Sequence, residues 1–120
     1  MVFTLSNDSA SIVVDATHGG RLASLRIQDA EVLLTGGPDD TTLTWGCYPM
    51  VPYAGRVRSG VVRFNNVDHQ LPLTLQPHAA HGTVFAQSWT VVDATASTIE
   101  LNANLGSQWP FGGSVSQRIE

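Results

Sequence analysis

Arg56 and His81 are the residues whose types and setting offer chemistry. Both lie in residues 49–82, PMVPYAGRVRSGVVRFNNVDHQLPLTLQPHAAHG. A fixed guanidinium and a titratable imidazole in a weakly charged sequence suit a neutral, hydroxyl-rich ligand that needs hydrogen bonds and a proton. Pro52, Tyr53 and Gly55 predict a shaped loop that holds Arg56 in place. Trp45 and Tyr53 flank that loop and are candidates for a ligand wall, because aromatic faces stack on sugars. By residue type alone, a loop histidine such as His81 is more often a satisfied polar group than a proton-transfer group. His78, three residues earlier, predicts a solvated turn cap. Two histidines without a nearby cysteine or acid make no zinc signature, so no metal is expected. Arg58 and Arg63 are read as surface charges. Arg21, after His18-Gly19-Gly20, is expected at a strand start without a direct role.

The elements that must position these residues are strands. The runs 11–16, 21–27, 31–35, 60–67, 69–73, 84–94, 97–105 and 113–120 are short and rich in Val, Ile, Thr and aromatics. Their period is two. His18-Gly19-Gly20, the 36–40 turn GGPDD, Asn65-Asn66 and Gly112-Gly113 separate them. Asn65-Asn66 can supply the positive backbone angles of a tight hairpin turn. Pro72 confines its run to an edge or a bulge. Residues 39–44 could start a short helix at most, and no window carries a helical stripe. Trp89 belongs to the core by its place in an alternating run. The expected class is all-β, an antiparallel sandwich in one segment spanning residues 1–120.

Composition narrows the function classes. Of 120 residues, 42% are apolar and 13% charged, and the net charge is −4. The six basic residues are all arginine, against ten acids. That balance argues against nucleic-acid or anionic-membrane partners. No apolar run approaches a membrane span and the first residues show no signal-peptide pattern, so a cytoplasmic location is expected. The single cysteine, Cys47, excludes an internal disulfide and is expected to be a buried small apolar residue. The last strand-like run ends as a charged half-strand. It predicts an open sheet edge and a possible homodimer through it.

Several segments together resemble the aldose 1-epimerase (galactose mutarotase) family. They are Pro52-Tyr53-Ala54-Gly55-Arg56-Val57, Gly60 with Phe64-Asn65-Asn66, and Pro77 followed by His81-Gly82. They are similar to the family's P-[FY]-x-N-R-I, G-x-[FY] with F-N-G, and H-x-L-H-G. The Gly-Gly turn before RLASLRI and the segment WPFGGSVSQRIE also resemble family elements. The resemblance covers nearly all of the chain. It implies a β-supersandwich enzyme that interconverts the α and β anomers of free hexoses by acid–base ring opening and closure, without a cofactor. It also implies that Arg56 binds sugar hydroxyls and that His81 acts near the ring oxygen. Gly55 stands where the family usually has Asn, and Ala79 and Ala80 replace His and Leu. The family's main catalytic histidine and its glutamate lie downstream of the region this chain matches. Glu31, Glu100 and Glu120 are not placed to substitute. The chain therefore resembles the N-terminal portion of a mutarotase, carrying half an active site. The alternatives are a non-catalytic carbohydrate-binding module of the same sandwich type, or a hexose-phosphate epimerase relative using Arg58 or Arg63.

Overall fold

The computed structural model describes residues 1–37 and 39–120. Pro38, within the predicted 36–40 turn, lies outside the described residues. The chain is all-β and every strand ladder is antiparallel. β1 (Val2–Ser6), β2 (Ala10–Asp15), β3 (Arg21–Ile27) and β4 (Ala30–Glu31) form a four-stranded sheet in that order. β5 (Arg56–Val57) pairs with β8 (Ala79–Ala80). A 3-10 turn, Arg58–Gly60, leads from β5 into the hairpin of β6 (Val61–Phe64) and β7 (Val67–Gln70). β9 (Thr90–Ala94), β10 (Ile99–Asn104) and β11 (Ser114–Ile119) make a three-stranded sheet with β10 in the middle.

The period of two explains the core. Leu5 of β1, Val14 of β2, and Ile99, Leu101 and Ala103 of β10 point inward and are buried together with Ala16, Val84, Trp89 and Leu105. Half-buried Phe3, Ile12, Leu22, Val91, Val115 and Ile119 extend the same faces. Each fully buried Val, Leu or Ile side chain here is worth roughly 1.5–3 kcal/mol. The polar residue that interrupts the inward row of β11, Gln117, donates its amide to the Gly20 carbonyl at 2.9 Å. One extra residue bulges each sheet, between Val13 and Val14 in the β2–β3 register and between Glu100 and Leu101 in the β10–β9 register.

Most sequence expectations for strands hold, with some differences. The run 69–73 is strand only as far as Gln70, and the short β5 and β8 form where no strand was expected. β1 was not expected, although VFTLS alternates and pairs along its whole length with β2. The run 31–35 forms only the end of β4. The Glu31 carboxylate accepts the Leu25 and Leu33 amides and the Ser24 hydroxyl, so the side chain replaces the ladder there. The run 84–94 begins its strand only at Thr90. Its first half turns over the core instead, with Gly19 N–H donating to Gln87 O and Trp89 N–H to Ala16 O. Residues 39–44 form a turn closed by Thr44 N–H to Thr41 O, without a helix.

The Asn65-Asn66 turn has φ of 49° and 62°, the paired positive angles of a two-residue hairpin. β11 is an edge strand, as expected, but nothing in the single chain supports a dimer at that edge. Among the described residues, no helix is long and apolar enough to cross a membrane.

Candidate active site

Arg56 and His81 are brought together by a two-residue ladder. Arg56 faces Ala80 and Val57 faces Ala79 across β5 and β8. The next pair, Gly55 and His81, closes the ladder in two ways. His81 N–H donates to Gly55 O at 2.9 Å, and Gly55 N–H donates to His81 Nδ1 at 3.2 Å. A ring nitrogen that accepts has no proton, so the neutral His81 ring carries its proton on Nε2. Nε2–H is then a donor that no protein group among the described residues takes up. His81 itself sits at φ 62°, left-handed for a residue with a Cβ. The following Gly82, buried at φ 82°, bridges in parallel to Val51.

The Arg56 side chain is exposed and makes no ion pair among the described residues. Its neighbour on the same loop, Tyr53, is half-buried. The Tyr53 hydroxyl is buried without a hydrogen-bond partner. Burial pushes the phenol above its ordinary pKa, and the Gly82 amide, which approaches without completing a bond, pulls it partly back. Tyr53 leads into a row of rings: Trp109 at 6.0 Å between centroids, then Phe111 at 5.3 Å from Trp109, which in turn meets Phe64 and His69. Arg56, His81 Nε2–H and the Tyr53 hydroxyl are all donors. Arg56, exposed, and His81, half-buried, can each donate to oxygen atoms of a neutral polyol, whereas the Tyr53 hydroxyl is buried. None of the three carries a lone pair of carboxylate strength to take a hydroxyl proton.

The structure puts the fourth expected site residue elsewhere. Trp45 is 4% exposed, and the Arg21 guanidinium carbon lies 4.2 Å from its ring centroid. One face of the indole is therefore covered inside the protein, and it is not placed as an open wall. His78 is half-buried rather than solvated, and its Nδ1 accepts from Ser59 N–H at 3.1 Å. Both rings of the His78–His81 pair thus spend Nδ1 on backbone amides. Among the described residues no three His, Cys, Asp or Glu side chains gather as a metal site. Cys47 is exposed, not buried: Cys47 exchanges backbone bonds with Leu22, and that pairing leaves its side chain on the outer face. Arg63 reaches Asp68 at 3.4 Å, a solvated pair across the hairpin.

Arg21 is the residue that sequence reasoning undervalued. It does start β3, but its side chain is fully buried. Its guanidinium donates to four carbonyls: His18 at 2.6 Å, Trp45 at 2.8 Å, Thr42 at 2.9 Å and Phe85 at 3.0 Å. It is also stacked between Trp45 and the Tyr48 ring, whose centroid is 5.0 Å from the guanidinium carbon. Burial draws its pKa below the ordinary arginine value, and the nearby Tyr48 and Asp15 oppose that shift. Removing a cation from water costs several kcal/mol. Charge-assisted bonds at about 1.5–3 kcal/mol each offset that cost. Asp15, also buried, caps the neighbouring turn through Thr17 N–H and His18 N–H and pairs with His18 Nδ1 at 2.7 Å. The only sequence signal for this cluster was an arginine directly after two glycines.

Comparison with known proteins fits this geometry. The solved structure of a putative aldose 1-epimerase from Escherichia coli K12 superposes with a TM-score of 0.85 at 23% identity, covering 98% of this chain and 40% of that one. The galactose 1-epimerase of Lactobacillus acidophilus NCFM superposes with a TM-score of 0.75 at 22% identity, covering 98% of this chain and 39% of that one. These likenesses show the fold. The uncharacterised protein YihR of Escherichia coli K12 is 26% identical over 105 residues, 86% of this chain and 34% of the relative. The chain thus spans about two-fifths or less of the length of these proteins. The model of the family described as aldose 1-epimerase matches residues 1–120, and the chain belongs to that family.

Proposed function

We propose that this chain supplies the sugar-binding and ring-oxygen half of an aldose 1-epimerase site, acting on free hexoses. The observation that supports the reading is the β5–β8 ladder, which puts Arg56 and His81 at adjacent register positions, with His81 Nδ1 taken by Gly55 N–H and Nε2–H left to donate. Arg56 holds sugar hydroxyls through its planar fork of donors. His81 Nε2–H donates toward the ring oxygen as the C1–O5 bond opens, which stabilises the charge that develops there. Tyr53 offers its half-buried ring as a wall beside Arg56, with its hydroxyl buried. The group that takes the C1 hydroxyl proton is not among these three, because all three are donors. We place it, with the main general acid, in a part of the family's fold that these residues do not include.

Family membership supports an isomerase. A non-catalytic sugar-binding role uses the same Arg56 and His81 donors and is favoured by the absence of a carboxylate among them. A hexose-phosphate substrate has less support, since it wants extra cationic contacts and the chain has no lysine. Two measurements test the reading on the full 120-residue chain and its Arg56→Ala and His81→Ala variants. Saturation-transfer NMR with D-glucose and D-galactose reads binding, and polarimetry of fresh α-D-glucose reads mutarotation. Binding that falls about tenfold or more in each variant, the equivalent of one lost charged hydrogen bond, supports the reading. Hexose binding that is absent in the parent chain, or unchanged in both variants, overturns it. Binding without acceleration of mutarotation assigns this chain the binding half alone.

A further inference from the structure

We propose that Arg21 is a positioning residue for His81, acting through the ring of Tyr48. It deepens the reading above, since the orientation of His81 matters to function only if that ring meets a sugar.

The argument begins with His81 itself. A non-glycine residue at φ 62° persists only where its surroundings over-determine it. One restraint is local, the paired bonds with Gly55. The bond to the ring is long at 3.2 Å, and alone it leaves the imidazole free to turn over, which puts Cδ2 in place of Nδ1 against Gly55 N–H and releases the tautomer. The other restraint is Tyr48, whose ring meets the His81 ring edge-on, with centroids 6.3 Å apart and planes at 62°. Tyr48 also packs on Phe85 at 5.8 Å, and its hydroxyl donates to Leu43 O at 3.0 Å.

Arg21 holds this arrangement from behind. Its guanidinium lies over the Tyr48 ring, and its Nη2 donates both to Phe85 O and to Thr42 O. Phe85 follows His81 by four residues, so the guanidinium grips the loop that carries His81 as well as the ring that packs against it. Thr42 and Trp45, two more of its acceptors, lie in the segment that leads into Tyr48. Gly19 permits the close approach: a Cβ there would stand 2.0 Å from Phe85 O. One buried cation therefore joins the turn before β3, the segment before Tyr48 and the loop after His81. A lysine carries the same charge but has neither the planar fork to reach four carbonyls nor the flat face to stack between two rings.

The test uses the full 120-residue chain and its Arg21→Lys, Tyr48→Phe and Tyr48→Leu variants. Long-range proton–nitrogen NMR at about pH 8, above the ordinary imidazole range, reads the tautomer of each histidine ring, with His81 assigned from a His81→Asn sample. The parent is expected to show His81 as a single tautomer protonated at Nε2. Arg21→Lys and Tyr48→Leu are expected to lose that single-tautomer signature, with His69 and His78 unchanged. Tyr48→Phe, which keeps the ring, is expected to retain it. A purely structural role for Arg21 would lower stability and leave the His81 signature intact in the folded fraction. If Arg21→Lys does not fold, Tyr48→Leu decides, because it leaves the Arg21 hydrogen bonds in place. An unchanged His81 ring in a folded Arg21→Lys or Tyr48→Leu overturns the proposal. Loss of the signature in a chain that binds no hexose supports the positioning role and removes the proposed function. Hexose binding with an unchanged ring in both variants does the reverse.

Discussion

Gly82→Ala is the perturbation whose cost can be worked most directly from the structure, with Gly55→Ala as its control. Both glycines have left-handed backbones, at φ 82° and 74°, and both adjoin the His81 clamp. They differ in what a Cβ would meet. At Gly55 no atom lies within 4 Å of it. At Gly82 it would stand 2.0 Å from Val51 O and 2.4 Å from Val51 C, both backbone atoms that no side-chain rotation can move aside. Val51 O already accepts the Thr83 amide at 2.9 Å. The conformational cost of a Cβ in the left-handed region is about 1–2 kcal/mol and applies to both variants. Displacing Val51 adds a broken, half-buried hydrogen bond in Gly82→Ala alone, about 0.5–1.5 kcal/mol more. The gain from stiffening the unfolded chain is common to both and cancels in the comparison.

Urea unfolding followed by tryptophan fluorescence measures the difference. With a slope of about 1–3 kcal/mol/M for a small domain, Gly82→Ala should unfold at a midpoint lower than Gly55→Ala by on the order of 1 M. Hexose binding should also fall further in Gly82→Ala, because the displaced peptide adjoins His81. Equal midpoints for the two variants would refute the reasoning, since the Val51 contact is all that separates them.

Two further outcomes are expected. Tyr53→Phe removes a buried hydroxyl that has no partner among the described residues and keeps the ring, so stability should hold or rise by up to about 1 kcal/mol and hexose affinity should be unchanged; a destabilised variant in urea unfolding would mean that the hydroxyl has a protein partner. Glu31 has its carboxyl pKa lowered by the Ser24 hydroxyl first and then the Leu25 amide, so the folded state binds its proton less readily than the unfolded one. Its contribution is therefore complete above the ordinary carboxylate range of about pH 4.3 and is lost as pH falls through the lower folded value. The stability gap between parent and Glu31→Gln should close over that acid window, and a gap that is constant from neutral to acid pH would contradict it.

The hairpin of β6 and β7 was legible because its determinants are adjacent: Asn65-Asn66 supplies the turn and the flanking runs supply the strands. The inward rows of β2, β3, β10 and β11 were legible for the same reason, since a period of two is a local pattern. Arg56 and His81 were singled out as a pair, and the ladder that joins them runs between segments that the sequence shows only as loops. Arg21 was misjudged because arginine is among the residues least often buried. Its compensation comes from carbonyls at positions 18, 42, 45 and 85, which no local pattern connects. Trp45 and Cys47 went wrong together. The indole that flanks the Arg56 loop in sequence turns inward to stack on Arg21, and Cys47, two residues on, faces outward from its bridge with Leu22. β1 is hard to read from the sequence because its five residues carry one buried side chain, Leu5, and it is held by pairing with β2.

The chemistry of the half-site follows from which of its atoms are already engaged. His81 could present either nitrogen to a ligand, but Gly55 N–H takes Nδ1, so the free atom is the one that carries the proton. Arg56 has no acid beside it, so its fork is free for hydroxyls. Several acids of the chain are engaged elsewhere: Asp15 by its turn and His18, Glu31 by Ser24 and two amides, Glu100 and Glu120 by Arg118. A constellation of donors lowers the cost of negative charge on a ring oxygen and raises no base to match it. Ring opening needs both, so on this reading the donors and the base belong to separate parts of the site. A base supplied on a free molecule in solution acts on free sugar too, and should act more effectively where these donors hold the sugar. Raising the concentration of an imidazole buffer should therefore accelerate the reaction more steeply with the parent chain than with His81→Ala, and equal slopes would show that His81 does not act on the ring oxygen.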